Sequence, residues 1–145
     1  MRAIVQRVRR GRVSVEGRTA GEIQCGVVIL LGVGLSDGNA QADYMAEKIA
    51  TLRIFEDEGE KMNLSLLDVK GSALVVSQFT LYADVSKGRR PSFINAALPD
   101  TARPLVDRFA GQLSLLGVPV QQGEFGAHML VEIENDGPVT IILER

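Results

Sequence analysis

Apolar and polar residues alternate with a period of two near both ends of the chain, and recur every three to four residues in two stretches between. Ala3 to Arg10 and Arg12 to Val15 read as strands, with Ile4 and Val8 on one face and Val5 and Arg7 on the other, because successive strand side chains point to opposite sides. Glu16-Gly17 predicts a turn, and Thr19 to Ile23 returns as the second arm of a hairpin. Gly26 to Val33 is apolar on both faces, the pattern of a central strand covered on each side. Asp37 or Asn39 is a competent cap for a helix whose Ala42, Met45, Ala46, Ile49 and Leu52 share one face. Leu66 to Val69 fits neither period, whereas Ser72 to Tyr82 is the strongest strand in the chain. Pro99-Asp100-Thr101 opens a second helix with a core stripe of Leu105, Phe109, Leu113 and Leu116, which Gly117 and Pro119 end. Met129 to Glu134 alternates again, and Asn135 to Pro138 predicts a turn into Val139 to Leu143, giving a terminal hairpin. Strands at both ends with two helices between them predict an α/β fold with mixed sheets, in one domain spanning residues 1–145.

The length of 145 residues suits that single core, since a chain of this size buries roughly 70% of its unfolded surface. With 46% hydrophobic and 23% charged residues, the chain is expected to fold as a globular protein without help from a ligand. Its longest apolar run, Val27 to Leu31, is far short of the about 20 residues a membrane-crossing helix needs. The opening residues are charged and lead directly into a strand pattern, so the expected location is the cytoplasm, with no membrane partner. Cys25 is the only cysteine and His128 the only histidine. No zinc-ligand set can be built from them, Cys25 reads as a small packing residue, and neither metal nor cofactor is expected.

Charge is distributed unevenly. The net charge is -2, yet the first 18 residues hold Arg2, Arg7, Arg9, Arg10, Arg12 and Arg18 against Glu16 alone, a local +5. A second basic group follows at Lys87, Arg89 and Arg90. Such clusters can hold phosphates on an acidic protein, although they also suit solvated faces of strands and loops.

Most familiar catalytic patterns are absent. Gly32-Val33-Gly34-Leu35-Ser36-Asp37 begins like a dinucleotide fingerprint, but Asp37 stands where a third glycine belongs and its carboxylate would repel a pyrophosphate. Neither a phosphate loop nor a G-x-S-x-G nucleophile elbow occurs. His128 lies far along the chain from any candidate nucleophile and reads as a surface or edge-strand residue. Asp57 with Glu58, and Glu132 with Glu134, read as solvated turn and strand faces. Two segments remain. Ser77-Gln78-Phe79-Thr80 places a polar end on a buried strand, where main-chain N–H groups of Phe79 and Thr80 could stabilise the oxyanion formed when an ester is attacked. Its plainer alternative is a strand edge whose hydroxyls satisfy nearby backbone groups. Gly137-Pro138 sits between two strand patterns and by itself reads as a hairpin turn.

Together with Arg53-Ile54-Phe55-Glu56-Asp57, Lys61-Met62-Asn63, Lys87 to Phe93 and Phe125-Gly126-Ala127, these segments resemble the D-aminoacyl-tRNA deacylase family over nearly the whole chain. The resemblance implies a three-layer α/β/β arrangement, a homodimer, and hydrolysis of the ester in D-aminoacyl-tRNA at the acceptor end. It implies catalysis at Ser77, Gln78, Phe79 and Thr80, assisted by the substrate's own ribose hydroxyl. It also implies a Gly137-cis-Pro138 motif that enters the partner subunit's site and excludes L side chains, with Arg7 holding the loop. Lys87, Arg89 and Arg90 would then contact tRNA. A non-enzymatic RNA-binding module is the competing expectation, weakened by few aromatic residues for base stacking.

Overall fold

The computed structural model describes residues Met1–Arg145. Its elements follow in the order β1 (Arg2–Val15), β2 (Arg18–Ile23), β3 (Gly26–Gly32), α1 (Asn39–Thr51), β4 (Phe55–Glu56), β5 (Met62–Leu64), β6 (Ser72–Ser77), a 3-10 turn (Phe79–Tyr82), α2 (Pro99–Leu115), β7 (Val120–Gln122) and β8 (Leu130–Glu144). The main sheet has the order β2-β1-β3-β6-β7, with β8 also paired to β1. β1 runs antiparallel to β2, β3 and β8, while β3, β6 and β7 are mutually parallel, so the sheet is mixed. α1 lies in the crossover from β3 to β6, and α2 in the crossover from β6 to β7.

The strictly apolar pattern of β3 and β6 follows from burial on both faces. Val27, Ile29, Leu31, Ala73 and Val75 join the helices in a large cluster around Met45, Ile49, Phe109 and Leu113. Their neighbours Val28, Leu74 and Val76 point the other way, into a smaller cluster with Val8, Val13 and Ile23, built from strands alone. Gly11 allows β1 to reach this second cluster: a Cβ there would lie 2.5 Å from a methyl of Val28. β1 therefore runs unbroken for 14 residues, not as the two strands that the polar break suggests.

The sequence pattern misplaces three further features. Ser72 to Tyr82 is not one strand, because the ladder ends at Ser77 and the chain winds into the 3-10 turn. Gly38 caps α1, with its N–H donating to the Gln41 side chain at 3.0 Å, because Asp37 is engaged by the Met1 amine and by the N–H of Gly34. Leu130 to Glu144 is no hairpin. Both halves pair with β1 as one strand, Gln6 opposite Thr140 and Val8 opposite Asn135, so that Asp136 to Val139 bulge outward across from Arg7 alone. Proline has no N–H to give to a ladder, which makes this the position where the interruption is cheapest. Cys25, in the short link between β2 and β3, is exposed and is not a packing residue. No helix is long and apolar enough to cross a membrane.

Candidate active site

The end of β6 is shaped by two bare positions on the adjoining chain. The N–H of Gln78 makes the last ladder bond, to the Leu31 carbonyl at 2.8 Å, and the turn closes through Leu81 N–H to Gln78 O at 3.2 Å. It rests against Gly32, where a Cβ would be 3.0 Å from the Gln78 carbonyl oxygen, and against Gly34, where one would be 2.7 Å from the Tyr82 ring. The two glycines that imitate a nucleotide fingerprint thus make room for this turn. Arg2 fastens it from outside, donating to the Leu81 carbonyl at 3.1 Å and lying 4.7 Å from the centre of the Tyr82 ring. Burial, reinforced by the Asp37 carboxylate, pushes the Tyr82 phenol up to about 12, so Tyr82 stays protonated and is no base near neutral pH.

The turn, more than the strand, fixes the main-chain donors of interest. The first N–H groups of a helix have no acceptor within its own ladder, which leaves those of Phe79 and Thr80 without a partner inside the turn. Ser77, Gln78 and Phe79 open onto a cavity of about 550 Å³ lined mainly by apolar side chains, including Phe93, Phe125 and Val106. Phe79 and Phe93 meet edge to face, with centroids 4.9 Å apart. Thr80 stands beside the cavity without lining it, and its hydroxyl accepts a short hydrogen bond from the Gln78 amide. His128 does line the cavity, from an exposed position before β8, but no hydrogen bond joins it to Ser77 or Thr80. Its role as a wall residue was hidden because the contact is made by tertiary folding across 50 residues of chain. The regular aromatic spacing that could reveal Phe93 and Phe125 as its companions does not exist in the sequence.

Gly137, Pro138 and Arg7 lie elsewhere in the same chain and do not line that cavity. The Gly137-Pro138 peptide is cis, and Gly137 takes φ +118°, a conformation that L side chains rarely adopt. Arg7 is buried and spreads its guanidinium over this bulge and a neighbouring loop. Nε donates to the Asp136 carbonyl at 3.3 Å and lies 3.2 Å from its carboxylate; Nη1 donates to Ile54 O at 2.8 Å and Nη2 reaches Glu56 at 3.4 Å. Asn135 completes the frame, its amide donating to the carbonyls of Arg7 at 2.8 Å and Val139 at 3.0 Å.

Ion pairing separates the two basic clusters. All six N-terminal arginines have acidic partners: Arg2 with Glu144, Arg7 and Arg9 with Asp136, Arg10 with Glu22, Arg12 with Glu132 and Arg18 with Glu124. Lys87, Arg89 and Arg90 have none. They are exposed on a loop pinched by the Asp84–Ser92 bridge, between the 3-10 turn and Phe93 of the cavity wall.

An α/β domain that sets free main-chain donors beside an apolar cavity can receive the carbonyl oxygen of an ester at those donors. Comparison with known proteins agrees. The family model for D-Tyr-tRNA(Tyr) deacylase matches residues 4–144. The D-aminoacyl-tRNA deacylase of Thermomicrobium roseum is 62% identical over 99% of this chain and 94% of its own. That of Heliobacterium modesticaldum is 60% identical over 99% of this chain and 96% of its own. A solved structure described as c-Myc DNA Unwinding Element Binding Protein, 42% identical, superposes with a TM-score of 0.94 over 100% of this chain and 99% of that one. The chain is a hydrolase of the class that acts on aminoacyl-tRNA esters. It belongs to the D-aminoacyl-tRNA deacylase family.

Proposed function

We propose that this enzyme releases D-amino acids from tRNA as a homodimer of three-layer α/β/β subunits, acting in the cytoplasm. The observation that carries the mechanism is the pairing of an ester-sized donor site with the absence of any base hydrogen-bonded to Thr80. In this reading the apolar cavity takes the terminal adenine, and the N–H groups of Phe79 and Thr80 receive the carbonyl oxygen of the ester. Ser77 and Gln78 line the approach. The vicinal ribose hydroxyl orients a water molecule, whose oxygen adds to the carbonyl carbon. The bond to the ribose oxygen then breaks, that oxygen takes the proton that the attacking water gives up, and the amino acid and free tRNA leave. The route uses no metal and no cofactor. Lys87, Arg89 and Arg90 contact phosphates of the acceptor end, which their unpaired state supports.

Selection of the D enantiomer is assigned to Gly137-Pro138 of the partner subunit. Its main chain, held by Arg7 and Asn135, fills the space that an L side chain would need, so discrimination works by rejection. Glycine has no Cβ to reject, and glycyl-tRNA mischarged on tRNA(Ala) is accordingly a second substrate. Distinguishing one methyl group from none exceeds the about 1–3 kcal/mol that a hydrophobic pocket extracts from a methylene; a main-chain wall supplies the difference. The purified protein should strip D-aminoacyl-tRNA and glycyl-tRNA while sparing L-alanyl-tRNA, as followed by loss of labelled ester. Glycyl-tRNA surviving as long as L-alanyl-tRNA would remove the exclusion mechanism. Binding of tRNA without any ester loss would favour the competing reading, a nucleic-acid-binding module.

A further inference from the structure

Arg103 occupies the first turns of α2 and has no carboxylate partner. Its guanidinium instead lies 4.9 Å from the centre of the Phe125 ring, and Nη2 donates to the Phe125 carbonyl at 3.4 Å. Phe125 lines the apolar cavity, and so do Pro99 and Ala102 from the same turns of α2. The segment bearing Phe125 is fastened at its start, where Gly123 N–H donates to Val75 O at 2.9 Å, and closes on itself through Ala127 N–H to Glu124 O at 3.1 Å. Between those points the half-buried Phe125 packs against the main hydrophobic cluster and receives two polar ties, one to its ring and one to its main chain, both from Arg103.

We propose that Arg103 is a positioning residue that acts through Phe125: it clamps the ring and its main chain against α2, and thereby sets the width of the cavity and its affinity for the nucleobase. This rests on the assignment of the cavity to the terminal adenosine. A planar guanidinium can stack on the ring and donate to the carbonyl at once, whereas an ammonium keeps only the charge over the ring. The clamp bears on binding and not on the bond that breaks, so KM should move and kcat should not.

Steady-state deacylation of a D-aminoacyl-tRNA should show that Arg103→Gln raises KM about three- to fivefold at unchanged kcat, the size expected of one partly exposed cation–π contact. Arg103→Lys should recover part of that loss. In a Phe125→Leu background, where the ring is gone, Arg103→Gln should add little further. Equal losses in both backgrounds, or no loss with Phe125 present, would overturn the proposal; equal losses with a shallower salt dependence would make Arg103 a direct phosphate contact. Titration of adenosine monophosphate into the same four variants reads the cavity without turnover. A wild-type protein that binds the nucleotide but cleaves no ester would sink the catalytic reading and leave the clamp standing, provided that Arg103→Gln weakens the nucleotide to a similar degree. An active wild type insensitive to Arg103→Gln would sink the clamp alone. Melting curves should show that the Arg103 variants remain folded, as the exposure of Arg103 leads one to expect.

Discussion

Thr80 is the side chain on which rival mechanisms differ most sharply. Its hydroxyl is engaged by the Gln78 amide and has no base beside it, which makes it a poor nucleophile at neutral pH. Thr80→Ala keeps the main-chain N–H and should keep most of the activity, whereas removing a working nucleophile costs on the order of 10⁶ in kcat. Replacing the substrate's terminal 2′-hydroxyl by hydrogen, with the ester held at the 3′ position, should instead abolish most turnover. Trapping an acyl-Thr80 species by mass spectrometry would reverse that ranking. Gly34 provides a second test through geometry. The Cβ of Gly34→Ala would sit 2.7 Å from the Tyr82 ring, which the Arg2 guanidinium and the Asp37 carboxylate tether, so making room for the methyl is expected to shift the turn that carries Phe79 and Thr80. Displacement of reacting groups by about 1 Å can cost on the order of 10²-fold, so kcat should fall by about tenfold or more while the melting temperature changes little. An unchanged kcat would show that the turn is not held by this contact. Neither glycine's purpose is legible in the sequence, because Gly32 serves Gln78 and Gly34 serves Tyr82, 46 and 48 residues further on, and local pattern carries no information about contacts so far apart.

Local alternation recovered β2, β3, both helices and the start of β6 because each is decided by burial on one or two fixed faces. It failed where pairing partners decide. Leu130 to Glu134 and Val139 to Leu143 have the pattern of two hairpin arms, yet long β1 offers one continuous partner to both, and a hairpin pattern carries no information about that choice. The end of β6 failed for a related reason: hydrophobic Phe79, Leu81 and Tyr82 continue a strand rhythm, but the bare faces of Gly32 and Gly34 admit a turn instead. The small β4–β5 ribbon illustrates how a short element is stabilised by polar contacts. Asp57 accepts from the Asn63 amide at 2.6 Å, the Lys61 N–H at 3.1 Å and the Gly59 N–H at 2.9 Å. These bonds, the Asn63 amide foremost, hold its carboxyl below the usual carboxylate value. A depressed folded-state value means that the contribution is present above the unfolded-chain value of about 3.9 and is lost as pH falls through the lower folded value. Asp57→Asn should therefore melt below the parent at pH 7, and the gap should close as the pH is taken below about 3.9. Melting curves from pH 7 to pH 2 would show it; a gap constant across that range would mean that the side chain acts by shape and not by charge.

One subunit keeps apart the two features that the proposed mechanism joins. The donor turn and cavity stand at the end of β6, whereas the Gly137-Pro138 bulge projects from the β1–β8 pair and contributes nothing to that cavity. Arg7, Asn135 and Asp136 commit several hydrogen bonds to shaping the bulge, an arrangement out of proportion for a surface turn. β8 is an edge strand that also leaves Ile142 75% exposed and Leu130 65% exposed, one towards each end, and the unpaired main chain of such an edge can take up a second chain. The family resemblance supplied this expectation at the level of the sequence; composition and periodicity could not, since nothing in Asn-Asp-Gly-Pro distinguishes a bulge that serves another subunit from a turn that serves its own. The proposed dimer, with two composite sites, makes a specific demand on mixed assemblies. A variant with Gly137→Ala, which places a Cβ 2.8 Å from Val139 and 3.0 Å from Arg7, spoils the selecting loop but leaves the donor turn intact. A Gly34→Ala variant does the reverse. Each homodimer should be defective, the first in sparing L-alanyl-tRNA and the second in turnover. After subunit exchange, a mixed dimer contains one site with both pieces intact and one with neither. Exchanged samples should recover turnover of D-aminoacyl-tRNA together with protection of L-alanyl-tRNA. Sedimentation must first show that a dimer exists, and differently tagged subunits must show that exchange took place. With those two conditions met, an absence of recovered selectivity would place the whole site within a single chain and require the bulge to act on its own subunit's substrate.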